Sequence, residues 1–237
     1  MGTEVADIDS NYERFYANRG TRVYPTEFVV RTLLAKYPRL NFSKPAPGAK
    51  ILDVAFGDGR NTAFLCEQGF DVCGIEITQG IVDQTAARLS ALGHRADLRV
   101  GRNNSIPYPN SFFDAVLACA CIYYCDAGDE MRDNLVEYAR VLKPGGYLIA
   151  SVADSASYIF DGADRLPDGS FRIVNDHYSN RVGYRLHAFQ TQDDLMSYFR
   201  PQFEDFSIGS SNNDYFGINE RLFWVVCRKE SETEDRT

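Results

Sequence analysis

The sequence predicts an α/β domain in which a doubly wound, mostly parallel sheet carries helices on both faces. Three observations predict it. Strand and helix patterns alternate between residues 50 and 152. The first strand, Lys50-Ile51-Leu52-Asp53-Val54-Ala55, runs into the turn Phe56-Gly57-Asp58-Gly59. About twenty positions on, a second strand ends at Glu76. Glycines in such a turn, lacking a Cβ, let backbone N–H groups approach a ligand at a helix N-terminus. A carboxylate at the tip of the next strand then accepts hydrogen bonds from both ribose hydroxyls. The pairing points to a nucleoside cofactor, and the plainer alternative is a tight strand-to-helix turn with no ligand.

Residues 1–10 are polar and read as frayed, while 11–18 and 26–37 carry apolar side chains at helical spacing (Phe28, Val29, Leu33, Leu34), the second segment opening at Tyr24-Pro25-Thr26. These helices, within 1–45, form an N-terminal lid in which Tyr12, Tyr16 and Tyr24 either close over a ligand or pack as core aromatics. After the breaker Pro45-Ala46-Pro47-Gly48 come strand 50–55, helix 60–68, strand 70–76, helix 79–92, strand 97–100, strand 114–119, helix 129–142 and strand 146–152. Helix 191–199 and strands 204–209 and 221–228 complete the domain. The last two strands are joined without a helix, so the final one returns antiparallel to its neighbour. Residues 154–190 are long for a connection and leave the same sheet edge as the glycine turn, where ligands of open α/β sheets bind. They are read as a substrate cap, against the alternative of a hairpin that only closes the sheet edge. The charged 230–237 reads as a disordered tail.

With 237 residues, 44% of them hydrophobic, the chain suits a single domain, 1–237, with a small cap. Its net charge of −8 and scattered Lys and Arg argue against nucleic acid. The longest apolar run, 115–125, is too short for a bilayer, so no membrane partner is expected and the chain reads as cytoplasmic. Six cysteines suit reduced thiols that pack as small apolar groups. Cys119, Cys121 and Cys125 cluster but lack the second Cys or His pair of a zinc site, so no metal is expected.

Four motifs in order carry a resemblance: 51–61 around Gly57 and Gly59; Val72-Cys73-Gly74-Ile75-Glu76; Ile106-Pro107-Tyr108-Pro109-Asn110-Ser111-Phe112-Phe113-Asp114; and Ala139-Arg140-Val141-Leu142-Lys143-Pro144-Gly145-Gly146. Together they resemble the class I S-adenosylmethionine-dependent methyltransferases, closely over 48–152 and in pattern only over 191–228. The resemblance implies a Rossmann-like, seven-stranded sheet with the last strand antiparallel, S-adenosylmethionine as cofactor and a small-molecule acceptor. It implies that Asp53, Ala55, Phe56, Gly57 and Gly59 line the methionine part, that Glu76 holds the ribose with Ile77 beside the adenine, that Asn103 and Asn104 meet the adenine ring, and that Ala118 and Cys119 face the reactive methyl. Two positions depart from the family. Ala55 replaces the usual first glycine, which is accommodated if residue 55 keeps a strand conformation. Arg102 stands where an aspartate commonly precedes the adenine contact, and Asn103 is the expected replacement donor and acceptor.

Methyl transfer from a sulfonium is an in-line displacement, and an alcohol, phenol or ammonium acceptor must lose a proton. His177, His187 and Tyr124 are the base candidates, against a packing role for each. Arg165, Arg172, Arg181 and Arg185 suit an anionic acceptor, or else pair with Asp161, Asp164, Asp168 and Asp176. After the fourth strand the chain reads Ala118-Cys119-Ala120-Cys121, without the Asn/Asp-Pro-Pro-Tyr signature of amino methylation on planar bases. No cysteine follows a proline as pyrimidine C5 methylation requires, and no carboxylate cluster suits a magnesium-dependent catechol type. Methyl transfer to oxygen or nitrogen of a small polar molecule remains. Competing readings are a non-catalytic cofactor-binding scaffold and a nicotinamide-dependent oxidoreductase, whose third glycine is here Thr62.

Overall fold

The computed structural model describes residues 3–17, 20 and 24–231, with side chains from Ile8 onward. In chain order its strands are β1 (Lys50–Val54), β2 (Asp71–Glu76), β3 (Asp97–Val100), β4 (Phe113–Cys119), β5 (Tyr124–Cys125), β6 (Leu142–Ala153), β7 (Asp164–Arg165), β8 (Phe171–Arg172), β9 (Arg185–Leu186), β10 (Phe203–Tyr215) and β11 (Ile218–Lys229). Its helices are α1 (Thr3–Ala17), α2 (Glu27–Leu34), α3 (Arg60–Glu67), α4 (Gln79–Ala91), α5 (Met131–Val141) and α6 (Gln192–Phe199).

Seven strands make one sheet in the order β10-β11-β6-β4-β1-β2-β3. The five strands from β3 to β6 are mutually parallel. The last strand, β11, lies between β6 and β10 and is antiparallel to both. From β1 the chain steps outward to β2 and β3, then returns to place β4 on the other side. This reversal leaves a crevice at the carboxyl ends of β1 and β4. Near-continuous apolar strands pack on both faces, one layer including Leu52, Val116, Tyr138, Leu148 and Phe199, the other Phe28, Ile51, Leu65, Leu117 and Val226. No helix among the described residues is long and apolar enough to cross a membrane.

The structure corrects three boundaries. Helix α1 runs from Thr3 through the segment expected to fray, because Tyr184 donates to Asp9 and Arg102 pairs with Asp9, giving a polar helix tertiary partners. Helix α2 stops at Leu34, and Ala35 is already extended. The β10–β11 hairpin reaches well past the expected 204–209 and 221–228, turning at Phe216-Gly217 with φ of 55° and 96°, a type I′ geometry that matches strand twist. Its far half carries Ser210, Ser211, Asn212, Asn213 and Asp214, residues poor in strand propensity. Most of the expected tail, residues 232–237, lies outside the described residues.

Residues 154–190 fold onto the sheet's carboxyl edge. Their two ends are clipped together where Ser155 N–H donates to Phe189 C=O at 2.8 Å and Asp154 bridges Phe189. Between them β7, β8 and β9 form a small antiparallel sheet that the sequence did not announce, and β9 pairs with β5, just after β4. Strands of two residues leave no periodicity to read.

Candidate functional site

The crevice opens into a cavity of about 490 Å³, inside the range of small-molecule sites. Three regions wall it. The glycine turn and the tips of β2 and β4 supply Ala55, Phe56, Gly57, Asp58, Glu76, Ile77, Cys119 and Ala120. Helix α1 supplies Tyr12, Phe15 and Tyr16. The cap and the hairpin supply Tyr158, Tyr178, Arg181, Tyr184, Ile218, Glu220 and Leu222.

The turn is held from behind. Thr85 Oγ1 donates to Gly57 C=O at 2.6 Å and Arg88 Nη1 to Asp58 C=O at 3.0 Å. Gly57 has φ 56° and the Tyr16 hydroxyl lies 2.5 Å from where a Cβ would stand, so both backbone conformation and close approach require glycine there. Ala55 does not keep a strand conformation as expected. Its φ is 52°, a left-handed geometry that costs an L-residue about 1–2 kcal/mol. Ala55→Gly should relieve that strain at a smaller entropic cost, raising stability by about 0.5–1 kcal/mol, or roughly 1–4 °C in Tm. A scanning-calorimetry trace with no upward shift would show the strain is absorbed elsewhere.

Three buried carboxylates surround the turn. Glu76 accepts from Gly57 N–H at 3.1 Å and Ile77 N–H at 2.8 Å, and burial outweighs these bonds to push its pKa up to about 7. Asp53 accepts from Thr62 Oγ1 at 2.7 Å and is likewise pushed by burial up to about 7. Asp58 Oδ1 pairs with Arg60 at 3.1 Å, while its Oδ2 is buried without a hydrogen-bond partner. The site concentrates negative charge and offers an unused acceptor, which fits a ligand carrying ammonium and sulfonium groups and ribose hydroxyls.

Helix α1 covers this region. Glu13 accepts from Thr78 Oγ1 at 2.9 Å, the Tyr12 and Tyr124 hydroxyls share a 2.6 Å hydrogen bond, and Arg102 bridges Asp9 and Asp126. Arg102 thus ties α1 to the segment after β5.

Residues 52–150 match a methyltransferase domain. Over this stretch the chain is similar to known methyltransferases. YqeM of Bacillus subtilis, which carries the methyltransferase name, is 27% identical over 162 residues, 66% of this chain and 62% of that one. A demethylmenaquinone methyltransferase of Corynebacterium kroppenstedtii is 36% identical over 105 residues, 44% of this chain and 42% of that one. The chain therefore spans under two thirds of the length of these relatives. In fold it is similar to a structure of a SAM-dependent methyltransferase from Methanosarcina mazei, with TM-score 0.65 and 21% identity over 79% of this chain and 95% of that one.

The residues named from the sequence separate in the structure. Ala55, Phe56, Gly57, Glu76, Ile77, Asn103, Cys119 and Tyr124 line the cavity. Asp53, Gly59, Asn104 and Ala118 stand outside the lining. Gly59 is the N-cap of α3, and Asn104 donates to Asp129 at 2.6 Å. The Asn103 side chain is spent on the protein, donating to Cys121 C=O at 2.9 Å and accepting from the Tyr138 hydroxyl at 2.8 Å. It is therefore not the free donor and acceptor expected for the adenine.

Neither histidine named as a base candidate lines the main cavity. His187 packs between Phe189 and Tyr198, and burial lowers its pKa. His177 lines a smaller cavity of about 190 Å³ that shares Tyr158 and Ile218 with the main one. Tyr124 does face the main cavity, where its hydroxyl also accepts from Arg181 Nε at 3.2 Å. Tyr24 is exposed and outside the lining, unlike Tyr12 and Tyr16. Of the cap arginines, Arg172 pairs with Asp164, Arg181 with Asp176 and Arg185 with Asp168. Sequence reasoning missed Asp58 and Glu220. The first sits inside the quoted motif as the residue between its glycines. No local signal marks the second, which depends on the length of the hairpin.

Proposed function

We propose that the chain is an enzyme that moves a methyl group from S-adenosylmethionine to an oxygen or nitrogen of a small, uncharged, ring-bearing acceptor. The observation that carries this reading is the buried acidic surround of the glycine turn, with Asp58 Oδ2 left unpartnered and both Asp58 and Glu76 lining the cavity. Glu76 and Asp58 would hold the cofactor's hydroxyl and ammonium groups, with Phe56, Ile77 and Tyr16 as apolar walls. Bound there, S-adenosylmethionine supplies an electrophilic methyl on a cationic sulfur. The same acids disfavour the pyrophosphate of a nicotinamide cofactor, which argues against the oxidoreductase.

An anionic acceptor loses support because Arg60, Arg102 and Arg181, the arginines of the cavity, are each already paired with an aspartate. The aromatic lining of Phe28, Tyr158, Tyr178 and Tyr215 instead favours a planar molecule. Helix α1 and the cap would exclude water, which alignment of acceptor, carbon and sulfur requires. Cytoplasmic residence belongs to the same proposal, and six free cysteines support it.

Calorimetric titration with S-adenosylmethionine, S-adenosylhomocysteine and NAD tests this reading. Micromolar binding of both sulfur nucleosides and none of NAD is expected, followed by mass-detected methylation in a panel of phenols and amines. Absence of binding would overturn it. Tight binding with no turnover across the panel would move the assignment to a non-catalytic scaffold.

A further inference from the structure

The hairpin brings a carboxylate into the lining of the cavity. Ile218, Glu220 and Leu222 alternate along one face of β11, and all three line the cavity. The backbone on either side is pinned. Leu222 pairs in register with Ala153 at the end of β6, Asp154 N–H donates to Arg221 C=O at 3.1 Å, and Arg221 N–H donates to Ser157 Oγ at 3.2 Å. Glu220 thus stands about 7 Å beyond Leu222 along the strand and lines the same cavity as Cys119, the last residue of β4, and Ala120 after it.

Its surroundings leave it available. Arg181 and Tyr158 of the cap and Tyr215 of β10 are the charged and titratable groups that act on it or feel its charge. Arg181 directs its Nε to Tyr124 and its Nη1 to Tyr158 and Asp176. Among the described residues no cation forms an ion pair with Glu220 and none donates a hydrogen bond to its carboxylate. Burial raises its pKa above the ordinary carboxylate value, with Arg181 pulling the other way, which makes a stronger base than a solvated glutamate.

We propose that Glu220 is the general base of the acceptor site and takes the proton of the O–H or N–H that is methylated. The inference rests on the methyl-transfer reading above. As the acceptor's oxygen or nitrogen bonds to the methyl carbon, the carbon–sulfur bond breaks and its electron pair stays on sulfur. The acceptor's proton passes to a Glu220 carboxylate oxygen. Sulfonium and carboxylate charges vanish together, leaving a neutral methylated product, S-adenosylhomocysteine and a protonated Glu220, with no co-reactant needed.

The test uses the full chain with 2-naphthol as proton-bearing probe and 2-methoxynaphthalene as its methylated counterpart. On protein loaded with S-adenosylhomocysteine, 2-naphthol should bind about tenfold more tightly than the ether, and Glu220→Gln should reduce that preference to about threefold or less. In turnover with S-adenosylmethionine, Glu220→Gln should lower kcat for 2-naphthol about a hundredfold while KM changes by less than about threefold, with partial recovery in Glu220→Asp. Affinity for S-adenosylhomocysteine should be unchanged in both variants. Equal binding of the two probes, binding of neither, a preference kept by Glu220→Gln, or an unchanged kcat would each overturn the role of Glu220. Failure of the wild-type protein to bind S-adenosylhomocysteine would instead bring down the methyl-transfer reading and this inference with it.

Discussion

Asp53→Asn is expected to raise the unfolding temperature of the ligand-free protein at pH 8 and to do so less at pH 5. Asp53 lies at 1% exposure, and burial lifts its pKa from the ordinary 3.8 to about 7 despite the Thr62 hydrogen bond. The folded state therefore holds a proton over a range in which the unfolded chain has released it. Stability from that proton is complete below the ordinary value and is lost as pH rises through about 7. A pKa raised by one on folding corresponds to about 1.4 kcal/mol, so ionised Asp53 costs on the order of 2–4 kcal/mol at pH 8 once its bond to Thr62 is discounted. Asparagine keeps an acceptor for Thr62 Oγ1 and never ionises. The gain corresponds to roughly 5–15 °C in Tm for a chain of this size. Thermal unfolding of both proteins across pH 5 to 8 checks it. A gain that does not grow with pH, or a loss of stability at pH 8, would mean that the charge is compensated in the fold.

The residues that specify the sheet are legible because its strands, buried on two faces, carry long apolar runs such as Ala115-Val116-Leu117-Ala118. The glycine turn and Glu76 are legible because ligand approach and ribose recognition restrict residue type locally. What escapes is decided by tertiary contact. Helix α1 is polar and gains its first turns from Tyr184 and Arg102, distant in sequence. The left-handed Ala55 reads as extended because a residue that violates its conformational preference leaves no mark in its identity. Histidines in an aromatic-rich loop suggest bases, yet the cap turns His187 onto Tyr198 and His177 into the smaller cavity. Glu220 enters the cavity instead from one residue before the expected start of β11, in a hairpin whose β10 strand has a polar end that does not read as strand. Arg102 shows the same limit from the other side, since its departure from the family pattern is visible in the sequence but its pairing with Asp9 and Asp126 is not.

Glu76→Ala is expected to weaken S-adenosylmethionine binding by about 10- to 150-fold, the equivalent of about 1.5–3 kcal/mol for charge-assisted hydrogen bonds. The substitution removes the carboxylate that faces the cavity and leaves Gly57 N–H and Ile77 N–H without their acceptor. Because burial raises Glu76 to about 7 in the ligand-free protein, the ionised form that accepts two ribose hydroxyls is the minority species in mild acid. Wild-type affinity should therefore fall as pH drops below about 7, by up to about tenfold for each pH step of one, until the ligand-bound carboxylate itself takes a proton. Glu76→Gln should bind weakly with a profile that no longer follows this titration. Calorimetric titrations of the three proteins between pH 5.5 and 8.5 separate the effects. Unchanged affinity in Glu76→Ala would mean that the ribose is held elsewhere. A pH dependence that survives in Glu76→Gln would transfer the titrating role to another carboxylate of the turn. The pH-dependent stability follows the opposite sign: ionised Glu76, like ionised Asp53, destabilises the ligand-free fold. The same charge that binds a cationic nucleoside is thus a cost without one, and ligand should stabilise the protein more at pH 8 than at pH 6.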